Sequence, residues 1–508
     1  MTSLPILRFV LAATLVAGTI GAASAQDAAK APAQGNRTEQ SEPAKGILRL
    51  LPSDAVTQHS IDTAQGKLAY TATAGTLSFY DQSGEKSAAV FYTAYVAKGL
   101  ANKDLQANRP LTFVFNGGPG AASAFLHLGM VGPRVLDFGP GNNDAARAEL
   151  HDNPDTWLAF TDLVLIDPIG TGWSRAIKSE DAKHYWNVRS DADAMAKAIA
   201  LYVTHNNRTA SPKYLFGESY GGFRAAKTAR ALQRDQGIAV SGIVMLSPLL
   251  EGWLTFGDDA SALRAALKLP SLAAAHLERK NTFTPAALAA AEKFAMTDYL
   301  VTLAGAPPQG ETARAFYARV ADVSGLPLDS VTQGRGFVEG AYVKGLRGDG
   351  KIVSRYDATF AVDDPYPELR ASRSPDPILD GVSRSYGGAM ADYARNELGF
   401  KTEMTYSLLA SDVTRGWDWQ GGRGQISAED DLRVLLSFSP SFRLLVAHGY
   451  SDMITPYAMS RYVLDHLPAT ERPRTQLKLY RGGHMIYLDP QSRQAFSADA
   501  AAFYRARE

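Results

Sequence analysis

The hexapeptide Gly217-Glu218-Ser219-Tyr220-Gly221-Gly222 constrains this chain more than any other stretch. An apolar run, Tyr214-Leu215-Phe216, precedes it, and a helical pattern from Phe223 to Gln236 follows it. The local reading is strand, sharp turn, helix. A turn that tight needs small residues two before and two after the serine, because larger side chains would strike neighbouring backbone. The serine hydroxyl then stands above a strand end, next to the first amides of a helix.

The rest of the chain supplies a sheet to carry such a turn. Leu111–Phe115, Leu163–Ile166, Tyr214–Phe216, Ile243–Leu246, Leu444–Val446 and Leu477–Tyr480 are short apolar runs bounded by turn residues. Helical spacing lies between some of them, at 191–205 and 223–236. Buried strands joined by crossover helices predict an α/β fold with a doubly wound, mostly parallel sheet. Upstream, Thr76–Tyr80 and Val90–Val96 flank a turn signal at Asp81-Gln82-Ser83-Gly84 and predict antiparallel strands. Gly75 reads as a further turn. The Ala- and Leu-rich stretch 251–430 breaks the rhythm, with a helix start at Thr284-Pro285. It is expected to be a largely helical cap inserted between core segments 46–250 and 431–508.

A serine hydroxyl is a weak nucleophile until a base takes its proton, and the base needs a group to orient it. In α/β-hydrolases the chain order is Ser, then Asp or Glu, then His. Strand 444–446 runs into Ala447-His448-Gly449-Tyr450-Ser451-Asp452, and the strand ending at Tyr480 runs into Arg481-Gly482-Gly483-His484-Met485. Both loops follow strand ends, where open α/β sheets hold their ligands. Ser219, Asp452 and His484 are the expected nucleophile, orienting acid and base. His448 precedes Asp452 and is read as structural. Two amides are needed for the developing oxyanion. One is expected from Tyr220, the other from the glycine loop 117–120 that follows strand 111–115.

At 508 residues, 45% of them hydrophobic, the chain can fill a large core with insertions or two domains. The 52 basic and 52 acidic residues balance, and no basic block marks a nucleic-acid or membrane-surface partner. The absence of cysteine excludes disulfides, thiolate metal sites and thiol nucleophiles. No cofactor or metal is expected. Arg8, the apolar run to Gly21 and Ala23-Ser24-Ala25 have the form of a signal peptide over 1–25, cleaved before Gln26. Residues 26–45 read as a disordered leader. An exported bacterial protein, periplasmic or extracellular and free of the membrane once cleaved, is the expectation.

Asn116-Gly117-Gly118-Pro119-Gly120, Gly217–Gly222 and Gly483-His484-Met485 together resemble the hallmark motifs of the serine carboxypeptidases, peptidase family S10. Asp167-Pro168-Ile169-Gly170-Thr171-Gly172-Trp173-Ser174 is similar to a further family segment that lines the site region. The resemblance implies release of C-terminal residues from peptides through an acyl-enzyme. By position it implies an oxyanion hole from the Gly118 and Tyr220 amides, and binding of the substrate's terminal carboxylate by Asn116 and Glu218. That pairing requires Glu218 to be protonated and to donate a hydrogen bond. Three positions depart from the family. Val114 stands where a tryptophan is usual, and Thr455 and Pro456 where a cysteine and an asparagine commonly follow the catalytic aspartate. An aminopeptidase, an esterase, an acyltransferase or a non-catalytic binding protein on the same scaffold remain as alternatives. Arg415, Trp417 and Trp419 are further candidates for a substrate pocket.

Overall fold

Strands that are apolar on both faces have to be covered on both faces, and that requirement organises the molecule. The computed structural model describes residues 46–64, 66–98, 108–139, 144–345, 350–368 and 375–506. The expected signal segment and leader lie outside the described residues. The strands are β1 (Ala55–Thr63), β2 (Gly66–Tyr80), β3 (Lys86–Ala97), β4 (Leu111–Phe115), β5 (Arg134–Asp137), β6 (Glu149–Asp152) and β7 (Asp162–Ile166). They continue with β8 (Arg175–Ala176), β9 (Lys213–Glu218), β10 (Gly242–Leu246), β11 (Lys351–Val353), β12 (Ala361–Asp363), β13 (Arg443–Gly449) and β14 (Thr475–Tyr480).

Among the described residues, ten strands form one sheet in the order β1-β2-β3-β7-β4-β9-β10-β13-β14, with β8 paired to β3. From β7 to β14 every pairing is parallel, while β1, β2 and β3 form an antiparallel extension. The register aligns Phe115 with Gly217, Glu218 with Leu246, Leu246 with Ala447, and Gly449 with Tyr480. The loops after β4, β9, β10, β13 and β14 therefore leave the same edge of the sheet.

Side chains alternate between two cores. Phe113, Phe115, Leu215, Met245 and Val446 enter one, with helices Val188–His205 and Tyr220–Asp235. Val114, Phe216, Val244 and Leu445 enter the other. There the Trp157 ring stacks on Phe216, with centroids 4.6 Å apart, and helix Pro490–Arg505 contributes Phe496 and Tyr504.

Gly75 is not a turn residue. It lies inside β2, opposite Tyr92, and glycine is needed there because a Cβ would fall 2.2 Å from the carboxyl carbon of Asp54. Asp54 accepts from the Thr76 amide and the Tyr92 hydroxyl, so the glycine clears space for a carboxylate that ties the chain entry to the sheet.

Residues 247–442 lie between the paired strands β10 and β13. Thr284 caps helix Pro285–Phe294 by accepting from the Ala287 amide, with proline at the first turn. This helix packs with Ala262–Arg279 and Gly310–Ser324 around Leu269, Leu272, Tyr299 and Val320, a third apolar cluster. The later part of the insertion behaves differently. Tyr386, Met390 and Tyr393 of helix Ser385–Asn396 join the second sheet core, and Tyr95 donates to the Tyr393 hydroxyl at 3.0 Å. One stretch that reads as uniform in sequence thus divides into a helical body and a segment that closes the sheet.

Candidate active site

Strand β9 ends at Glu218, and helix Tyr220–Asp235 begins at once. Ser219 between them has φ 60° and ψ −126°, a strained conformation for a residue with a Cβ. Its amide donates to Leu246 O of the neighbouring strand, which holds the turn against the sheet. A Cβ on Gly217 would lie 2.0 Å from Gly221 O, so the close approach of strand end and helix start needs glycine there. The helix starts three residues earlier than the sequence pattern indicates. Gly221 and Gly222, poor helix formers, are inside its first turn because backbone and Pro248 crowd them.

The glycine loop after β4 lies directly against this turn. A Cβ on Gly117 would come within 2.5 Å of the Tyr220 amide nitrogen. Tyr220 N–H is one of the unpaired first-turn amides of its helix, and Gly118 N–H has no partner among the described hydrogen bonds. Gly118 and Tyr220 thus present two amides at one end of a cavity of about 300 Å³ that Ser219, Glu218, Asn116 and His484 also line.

His484 Nδ1 is 2.9 Å from Asp452 Oδ2. The same carboxylate accepts from the Ile454 and Thr455 amides and from Thr455 Oγ1 at 2.9 Å. Burial pushes the Asp452 carboxyl up, but the neighbouring imidazoles, His484 foremost and then His448, outweigh it and hold the group well below the usual carboxylate range. For His484, burial acts downward and the Asp452 charge upward, with a net rise. His448 is fully buried, bonds Ser460 Oγ at 2.8 Å, and keeps Nδ1 3.9 Å from Asp452 Oδ2, too far for a hydrogen bond. No hydrogen bond joins Ser219 Oγ to His484 among the described residues. Such bonds are commonly long before substrate binds.

Asn116 Nδ2 donates to Glu218 Oε2 at 2.7 Å, while Asn116 Oδ1 accepts from the Leu126 amide, which fixes the orientation of the carboxamide. Tyr487 Oη lies 3.1 and 3.2 Å from the two Glu218 oxygens. Glu218 is 4% exposed, and burial is the main cause that pushes its carboxyl from 4.5 up to about 7. The nearby His484 and the donors Tyr487 and Asn116 work against that rise. Near neutral pH this side chain is poised between accepting and donating.

The sequence of 66–250 matches the family model described as serine carboxypeptidase. Asp452 and His484 lie outside the matched range and are placed by the sheet alone. Among similar proteins are the retinoid-inducible serine carboxypeptidase of Mus musculus, 32% identical over 120 residues (23% of this chain, 24% of the relative), and serine carboxypeptidase-like 41 of Arabidopsis thaliana, 29% identical over 154 residues (28% and 30%). The chain spans about a quarter of the length of the mouse relative it matches. A solved prohormone-processing carboxypeptidase from Saccharomyces cerevisiae has the same α/β-hydrolase fold, with TM-score 0.53 at 14% identity, covering 86% of this chain and 92% of that one.

Val114 faces the second core, fully buried, and offers no donor to the carboxylate region. A donor to Glu218 comes instead from Tyr487, three residues beyond His484. Thr455 bonds both Asp452 and Ser247 O and lies 3.2 Å from His484 Nδ1. Arg224, buried with Asp191 at 2.7 Å, also donates to Asn116 O and so ties the elbow helix to the glycine loop. Tyr356, from the insertion, packs edge-on against the His484 ring and accepts from its amide. Sequence reasoning missed Tyr487, Arg224 and Tyr356, which no local motif marks.

The remaining candidates lie elsewhere. Asp167–Ser174 does not line the cavity of Ser219. Asp167 accepts from the Ser123 amide and so supports the glycine loop from behind. Trp417 and Trp419 pack on the ring of Tyr220, away from that cavity, and Arg415 pairs with Asp412 at the surface.

Proposed function

We propose that this chain is a serine carboxypeptidase, releasing C-terminal residues from peptides with Ser219, Asp452 and His484 as its triad. Ser219 Oγ attacks the carbonyl of the last peptide bond as His484 takes the hydroxyl proton. Asp452 holds the imidazole and balances the imidazolium. The Gly118 and Tyr220 amides receive the oxyanion. Collapse expels the C-terminal residue as its amine, which leaves with the proton from His484, and water then cleaves the acyl-enzyme by the same steps in reverse. The observation that carries this reading, rather than an esterase or aminopeptidase, is the buried Asn116–Glu218 pair next to Ser219. A carboxylate can share the Glu218 proton in a charge-assisted hydrogen bond and accept from Asn116, whereas an ester or amide carbonyl there gains only a weaker, neutral one.

No helix among the described residues is long and apolar enough to cross a membrane. The form of residues 1–25 supports export with cleavage before Gln26, to the periplasm or exterior.

The experiment is mass spectrometry of an N-blocked peptide incubated with the protein and with Ser219→Ala. Stepwise loss of C-terminal residues by the first and none by the second is expected. Internal cleavage, or equal product from both, overturns the reading.

A further inference from the structure

The cavity has a charged wall that the reaction leaves unused. Arg264 and Lys268 stand one turn apart on helix Ala262–Arg279, and both line the cavity with Glu339. Their side chains are only 7% and 6% exposed, against 31% for Glu339. Like charges four residues apart on a helix repel, and burial adds a desolvation cost. Glu339 bridges the two: it is 3.1 Å from Arg264 and is in contact with Lys268. Arg264 is further held by Leu254 O, Thr255 O and Asp259. Asp259 is 77% exposed and does not line this cavity. Glu339 is the one carboxylate that the described residues give Lys268. The wall therefore presents two buried cations to the cavity with Glu339 as the carboxylate that lines it beside them, while Asp259 pairs with Arg264 from outside.

The geometry also assigns this wall a side of the substrate. Asn116 and Glu218 share the cavity lining with Phe125 and Met485, which belong, like the Glu218 partner Tyr487, to the second sheet core. Lys268 and Glu339 lie by Met453, which packs into the cluster of the inserted helices. The terminal carboxylate occupies the first region, so the leaving residue lies between Glu218 and Ser219. The other region is left for the residue that forms the acyl-enzyme.

We propose that Arg264, Lys268 and Glu339 form an acyl-side subsite selective for an acidic side chain, glutamate or aspartate, immediately before the scissile bond. The substrate carboxylate shares the two cations with Glu339 and relieves their mutual repulsion. Burial holds the Lys268 ammonium below its ordinary range even beside Glu339, and a second carboxylate stabilises its charged form. A basic side chain meets two cations and is rejected.

The inference rests on the proposed function, on the acyl-enzyme and on the terminal carboxylate lying at Glu218, and the test separates its failure from the failure of that reading. N-blocked α-methyl esters of Glu, Gln and Lys share the acyl side but have no terminal carboxylate, so their relative kcat/KM reports this subsite alone. The free-acid requirement of peptides reports the carboxypeptidase reading alone. At about pH 6, where the substrate glutamate is ionised, Glu is expected to exceed Gln by about tenfold, equivalent to ~1.4 kcal/mol. Lys268→Met is expected to bring that ratio close to one, and Glu339→Gln to raise it. A Glu-to-Gln ratio at or below one, a preference for Lys, or a ratio unmoved by both variants overturns the subsite. The thermal midpoint of each variant shows that the ratio is read on folded protein.

Discussion

Glu218→Gln tests the buried acid without any assay of activity. Glu218 titrates near 4.5 in the unfolded chain and at about 7 in the folded one, chiefly because burial penalises its charge. The folded state therefore binds more protons between those values. A raised carboxyl contributes stability that is complete below the unfolded pKa and is lost as pH rises through the folded pKa. The shift of roughly 2.5 units amounts to about 3 kcal/mol, of which about 2–3 kcal/mol is lost between about pH 5 and pH 8. Glutamine keeps the shape and hydrogen-bonding capacity but does not titrate. Urea unfolding of both proteins at the two pH values gives the comparison. Other buried acids, such as Asp167, which burial raises to about 6, occur in both proteins and cancel in the difference. Glu218→Gln is expected to gain about 2–3 kcal/mol on wild type between the lower and the higher pH. An unchanged difference would refute the claim that a buried, reluctantly ionised carboxyl lies beside Ser219.

Two substitutions probe the neighbours of the triad and the carboxylate pair. Thr455→Val removes the hydroxyl that bonds Asp452 and Ser247 O. It is expected to lower kcat/KM several-fold and stability by about 1–3 kcal/mol, measured by steady-state kinetics and unfolding; values equal to wild type would show that the hydroxyl is idle. Tyr487→Phe removes a donor that favours ionised Glu218, so the alkaline fall in hydrolysis of a free-acid peptide should move to higher pH by up to about one unit. A shift to lower pH would contradict the assigned direction of that bond.

What was legible in the sequence follows from how local each constraint is. The apolar runs that became β4, β7, β9, β10 and β13 are visible because strands buried on both faces have no polar alternation, while the partly buried edge strand β14 shows through Leu477, Leu479 and Tyr480. The turn at Ser219 is visible because its glycines sit at fixed offsets. Register then places the loops after β4, β9, β13 and β14 at one edge. Gly75 misleads because its reason, the carboxylate of Asp54, lies far outside any local window. Tyr487, Arg224 and Tyr356 act through contacts made only after the sheet and insertion assemble. The division of 251–430 into a helical body and a sheet-closing segment is hidden for the same reason, since aromatic residues such as Tyr386 and Tyr393 fit either setting. The tryptophans at 417 and 419 look like pocket residues by composition, yet they serve to pack the ring of Tyr220.

The central claim is that Asn116 and protonated Glu218 select a free terminal carboxylate for attack by Ser219. One N-blocked dipeptide, compared as free acid and as amide across pH 4 to 8, tests it most directly. The account predicts strong preference for the acid, with that preference falling about tenfold per pH unit once Glu218 ionises above about 7. Equal rates on the two forms, or a preference that does not change with pH, would contradict it.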